Sequence, residues 1–159
     1  MRTPKIYLET TMFNFYVDED RFASADTVRL FKETATGKYL AYTSRSVIEE
    51  LEKAPVKKRD KMINLIAEYN ILILEYNDEA ERLADVYVTE GVIPLKYRMD
   101  GLHIAIAAVN DLDMIISMNF QHIVKRKTIK MTANINTLNG YHAVEIYSPM
   151  EVVENENDE

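Results

Sequence analysis

"MDGLHIAIAAVNDLDMIISMN", from Met99 to Asn119, is the stretch whose reading decides the fold. Leu102, Ala105, Ile106, Val109 and Leu112 recur at three- and four-residue spacing, the period of one helix face. Then "MIISM", Met114 to Met118, is a short unbroken apolar run, as expected of a strand covered on both faces. A helix leading at once into such a strand is half of a crossover unit. Polar residues mark both ends: Asp100 and His103 open the helix, and Ser117 and Asn119 close the strand. Such residues either complete the backbone or perform chemistry.

Working outward, strand-like and helical runs alternate. "KIYLE" (5–9) reads as a first strand, and "SADTVRLFKETATG" (24–37) as a helix capped by Ser24 and stopped at Gly37. "KYLAYT" (38–43) is a second strand, followed by helices over roughly 44–54 and 56–69. "NILIL" (70–74) is a third strand, "DEAERLADVYVTEG" (78–91) a capped helix ending at Gly91, and "VEIYS" (144–148) a fifth strand after "MIISM". This order predicts an α/β fold, a three-layer α/β/α sandwich around a twisted parallel sheet. Residues 1–150 read as one domain, and 151–159 as an acidic, frayed tail.

The bulk properties fit that reading. The chain has 159 residues, 47% hydrophobic and 28% charged, which suits one globular domain. No cysteine is present, which excludes a disulfide framework and thiolate metal sites and fits a reducing, cytoplasmic setting. No apolar run approaches the roughly 20 residues of a membrane span. The net charge of −7 argues against a nucleic-acid partner, but five of the acids lie in the tail. Basic clusters remain at "VKKRDK" (56–61) and "VKRKTIK" (124–130), either solvated faces or tracks for a phosphate backbone. The ten tyrosines are scattered and are not read as a base-stacking platform.

In a parallel α/β sheet the ligand site lies beyond the carboxyl ends of the strands. Glu9, Thr10 and Thr11 follow the first strand. Thr43 and Ser44 lead from the second into a helix bearing Glu49 and Glu50, and Ser117 and Asn119 end the fourth. With Val47 set at 0° on its helix, Glu50 falls near 300°, bordering the apolar stripe, and Glu49 near 200°, facing solvent. Glu50 is therefore the acid that can reach the rim. Carboxylates without cysteine or clustered histidine suit a hard cation such as Mg²⁺ or Mn²⁺, which would also relieve their mutual repulsion. Each residue also has a plainer use. Asp100 could cap its helix, Glu9 pair with a lysine, Glu50 face solvent, and Asn119 cap the "FQHI" turn. His103 reads as a hydrogen-bonding histidine rather than a ligand, and His122 as structural or a phosphate contact.

Four segments taken together resemble a known family. "KIYLETTMFNFY", "YTSRSVIEELEKA", "VIPLKYRMDGLHIAIAAV" and "MIISMNFQHI" follow the order and spacing of the PIN domain, most like its small VapC-type toxin branch. The resemblance runs from Ile6 to about Pro149, and is sharpest in Asp-x-x-His-Ile-Ala and Asn-Phe-x-His-Ile. It implies a Mg²⁺- or Mn²⁺-dependent endoribonuclease whose four acidic positions fall on Glu9, Glu50, Asp100 and Asn119. Thr10, Ser117 and His122 would lie in a second shell or touch substrate. A small antitoxin and a homodimer are the implied partners, beside the RNA substrate. Two positions depart from the pattern. Glu9 is one methylene longer than the usual aspartate, and Asn119 is neutral, which makes a second metal harder to hold. A degenerate PIN domain that binds RNA or protein without cutting is the alternative.

Overall fold

The computed structural model describes residues 2–153. β1 (Lys5–Leu8), β2 (Leu40–Ser44), β3 (Leu72–Leu74), β4 (Met114–Ile116) and β5 (Glu145–Tyr147) form one parallel sheet in the order β3-β2-β1-β4-β5. Central β1 carries Ile6, Tyr7 and Leu8, all buried, so it reads as a continuous apolar run rather than an alternating one.

Between β1 and β2 lie α1 (Thr10–Val17) and α2 (Ser24–Ala35), and between β2 and β3 lie α3 (Arg45–Leu51) and α4 (Val56–Glu68). The chain then crosses back past β1 through α5 (Asp78–Thr89), a 3₁₀ turn at Leu95–Tyr97 and α6 (Arg98–Val109). α7 (Arg126–Leu138) joins β4 to β5, and the short α8 (Pro149–Val152) follows. Right-handed crossovers require the helices of the outward and returning steps to lie on opposite faces. The contacts obey: α1 packs on α2, α3 and α4, while α5 packs on α6 and α7. The strand order reverses between β1 and β4, which places a crevice beyond their carboxyl ends.

α1 and α7 were not anticipated from the sequence. α1 is largely apolar apart from Thr10, Thr11 and Asn14, and α7 buries Thr128, Thr132, Ile135 and Asn136, a helical stripe written mostly in polar residues. The boundary expected at residue 151 falls inside α8, where Ser148 and Glu151 form a capping box. Residues 154–159 of the expected tail lie outside the described residues. No helix among the described residues is long and apolar enough to cross a membrane.

Gly101 explains part of the opening stretch. A Cβ there would stand 3.1 Å from Ile93 Cδ1 and 3.4 Å from Tyr87 Cδ2. Its absence lets the start of α6 lie close against the end of α5, and so fixes where neighbouring Asp100 emerges.

Candidate functional site

Two strands run directly into helices at the crevice. β1 ends at Leu8, Glu9 is the N-cap position of α1, and the Glu9 carboxylate makes no capping bond. It turns instead into the crevice and is only 3% exposed. Oε1 of Glu9 accepts from Ser117 Oγ at 2.5 Å and from Thr11 Oγ1 at 2.6 Å. The Ser117 and Thr11 oxygens accept in turn from the backbone N–H of Asn119 (2.9 Å) and of Met118 (2.8 Å). The loop after β4 therefore clamps the acid at the end of β1. Oε2 of Glu9 takes no hydrogen bond from any described residue.

β2 ends at Ser44, whose Oγ accepts from Val47 N at 3.2 Å and caps α3. α3 then presents half-buried Glu50 to the crevice and leaves Glu49 exposed. Fully buried His103, on α6, meets Glu50: Nε2 lies 2.6 Å from Glu50 Oε1. Nδ1 of His103 is 2.7 Å from the Tyr7 hydroxyl, itself 2.7 Å from Ser44 Oγ. Because Ser44 Oγ accepts from Val47, one consistent polarity has Ser44 donating to Tyr7, Tyr7 to Nδ1, and Nε2–H to Glu50.

Asp100 lies in the first turn of α6, whose N-cap is Tyr97, so Asp100 is not the cap that its spacing allowed. It faces the same crevice, where His103, Asn119 and His122 all favour its ionised form, Asn119 without a well-formed hydrogen bond to it. Asn119 also closes the turn after β4, its Oδ1 accepting from His122 N at 3.0 Å. The oxygen that would coordinate a cation thus already has one partner. Thr10 Oγ1 is buried beside Glu50 and favours its ionised form without a well-formed hydrogen bond of its own.

The electrostatics bind these groups into one set. Burial raises the Glu9 pKa above its ordinary value, against the opposing influence of His103, Ser117 and Thr11. Burial likewise raises Asp100, against His103, Asn119 and His122. At Glu50 burial also acts upward, but the hydrogen bond and charge of His103 prevail and the carboxyl sits below its usual value. Burial acts to lower His103, yet Glu50, Glu9 and Asp100 outweigh it and raise the imidazole. His103 is the group that all three acids share. Sequence reasoning placed it as a hydrogen-bonding histidine but did not see that it would bind Glu50; only the meeting of α3 and α6 reveals that.

The residues expected at one rim are thus at one rim, although they do not form a finished ligand shell. Among the described residues no group of three or more His, Asp or Glu side chains is placed to hold a metal ion. Locally, His103 occupies Glu50, and the Asn119 oxygen is taken by the turn. In chemistry the set still fits a hard dication. It offers three carboxylates, two of them pushed up by burial, and an oxygen of Glu9 with no other bond.

No family model matches the sequence, and no curated protein does. Among solved structures, the chain is similar to one in the crystal structure of VapBC2 from Rickettsia felis bound to a DNA fragment from their promoter. The match has a TM-score of 0.62 and covers 91% of this chain and 98% of the other, at 10% identity. The fold is VapC-like. At that identity the likeness concerns architecture. The VapC-like sheet puts its order reversal between β1 and β4, where Glu9 and Ser117 meet.

Proposed function

We propose that this chain is a metal-dependent endoribonuclease of the PIN type, with Glu9, Glu50 and Asp100 as the ligands of Mg²⁺ or Mn²⁺. The observation that carries the reading is Glu9. A carboxylate buried at the strand-order reversal, with one oxygen clamped by two hydroxyls and the other unbonded, is costly unless a cation is its partner. A bound dication would supply an activated water and neutralise phosphodiester charge. The chain's own groups orient and charge the ligands. Ser117 and Thr11 hold Glu9, His103 keeps Glu50 ionised, and Asn119 closes the turn and favours the ionised form of Asp100. The VapC-like fold supports a toxin's role with a small antitoxin as partner and a homodimer as the working unit, in the cytoplasm.

Cleavage of a mixed RNA pool with added Mn²⁺ tests the reading, comparing wild type with Asp100→Ala prepared identically. Cleavage should be lost in the variant and under chelator. Equal cleavage by both proteins would point to a contaminant and defeat the assignment.

One observation favours a second reading, a PIN-type domain that binds without cutting. Glu50 is already satisfied by His103, and the acids do not converge as placed. Calorimetric titration with Mn²⁺ separates the two, since a binding module has no need of the ion.

A further inference from the structure

Beside the carboxylates, the rim carries rings and cations that the metal chemistry does not use. Tyr97, the N-cap residue of α6 and one turn before Asp100, stacks on His122 with centroids 4.0 Å apart and planes at 28°. His122 belongs to the turn closed by Asn119, so the stacked pair bridges the two elements that bring Asp100 and Asn119 to the crevice. Nε2 of His122 is enclosed and has no hydrogen-bond partner, so the ring is kept in place by stacking and by its backbone. Around the pair, large apolar groups face water: Leu95 is 71% exposed, Phe120 47%, Met99 39% and Tyr97 itself 36%. Lys96 Nζ stands 5.7 Å from the Tyr97 ring centroid. Lys125 and Arg126, exposed at the start of α7 on the far side of the same turn, take part in no ion pair among the described residues.

We infer that this rim binds single-stranded RNA. An unpaired base stacks on the exposed rings of Tyr97 and Phe120, and Lys96, Lys125 and Arg126 hold the backbone. The inference rests on the nuclease reading for its choice of nucleic acid. Exposed rings present flat faces that any base can cover, and cations alternating with them match a phosphate chain. The core of a protein–protein interface is instead depleted in lysine. The strand must be single because a base inside a duplex has both faces occupied by its neighbours. The tyrosines looked scattered in the sequence; the fold brings one of them to a histidine 25 positions away, next to the acids.

The test is fluorescence anisotropy of a short end-labelled RNA, measured in EDTA and again in Ca²⁺, with the full chain. The single strand should bind at least about tenfold more tightly than its duplex. Tyr97→Ala and Phe120→Ala should each weaken it by about 5- to 100-fold, with Tyr97→Phe restoring most of the loss. Circular dichroism of each variant checks that the fold is kept, and Phe120, being exposed, serves if Tyr97→Ala unfolds. Equal binding of single strand and duplex, no binding in either buffer, or full binding by the folded Phe120→Ala variant would overturn the inference. Self-association that falls with Phe120→Ala while RNA binding is unchanged would assign the patch to protein contact, and overturns it too. Cleavage in Mn²⁺ is read separately. RNA cut by wild type and bound normally by the ring variants defeats the platform and spares the nuclease; ring-dependent binding without cutting does the reverse.

Discussion

Glu9 is a carboxylate held almost out of water, and its surroundings work against its own charge. Replacement by a neutral isostere should therefore leave the fold intact while removing function. Glu9→Gln keeps an oxygen to accept from Ser117 and Thr11, so its stability should stay within about 1 kcal/mol of wild type in chemical denaturation. Mn²⁺-dependent cleavage should fall by about 100-fold or more. A variant that unfolds would show that Glu9 is structural first. Tyr7 makes the converse case. Tyr7→Phe keeps the ring but removes the hydroxyl between Ser44 and His103, leaving buried Nδ1 without a partner. The expected cost is about 1–3 kcal/mol in denaturant midpoint analysis, and unchanged stability would refute the buried relay.

At the scale of elements, Asp113 ties together the amino ends of three strands. Its carboxylate accepts from Lys5 N at 2.7 Å and from Arg2 at 2.6 and 3.0 Å, and its backbone bonds both Lys5 and Glu145. The Arg2 guanidinium holds this carboxyl below its ordinary value. A depressed carboxyl stabilises the fold above its unfolded pKa, about 3.9, and that contribution disappears as pH falls through the folded value. Asp113→Asn should thus be less stable by about 1 kcal/mol at neutral pH, with the gap closing in acid. A gap that persists undiminished at the lowest pH would contradict this sign. These strands were legible because aliphatic runs announce them, and the helices between them because caps and apolar stripes agree. α7 was hidden because its buried stripe is Thr128, Thr132 and Asn136 beside one isoleucine, so hydrophobic periodicity had nothing to count. α1 was hidden because "TTMFNFYV" follows β1 as a largely apolar run after two threonines, broken only by Asn14, and reads as readily as a continuing strand. Among the rim acids, Glu9 closes a strand and Asp100 opens a helix, while Glu50 stands out by its place on the border of an apolar helix stripe. Their entanglement with His103 could not be read from spacing, for it depends on how α3 meets α6.

For the whole molecule, a cation that binds only the folded state raises its stability by mass action. At a hundredfold excess over Kd the gain is about 2.7 kcal/mol, on the order of 5–10 °C in Tm for a chain of this size. Differential scanning calorimetry with Mn²⁺ should show that rise in wild type and none in Glu9→Gln; equal shifts in both would place the ion elsewhere. The sheet order bears on something different, the birth of the chain on the ribosome. β1 pairs Ile6, Tyr7 and Leu8 with Met114, Ile115 and Ile116, and Glu9 is clamped by Ser117. The first acid made therefore waits for one of the last strands. A nascent chain cannot assemble the crevice until Ser117, more than a hundred residues after Glu9, has left the exit tunnel. On the nuclease reading proposed above, the growing chain carries no finished site before that strand arrives.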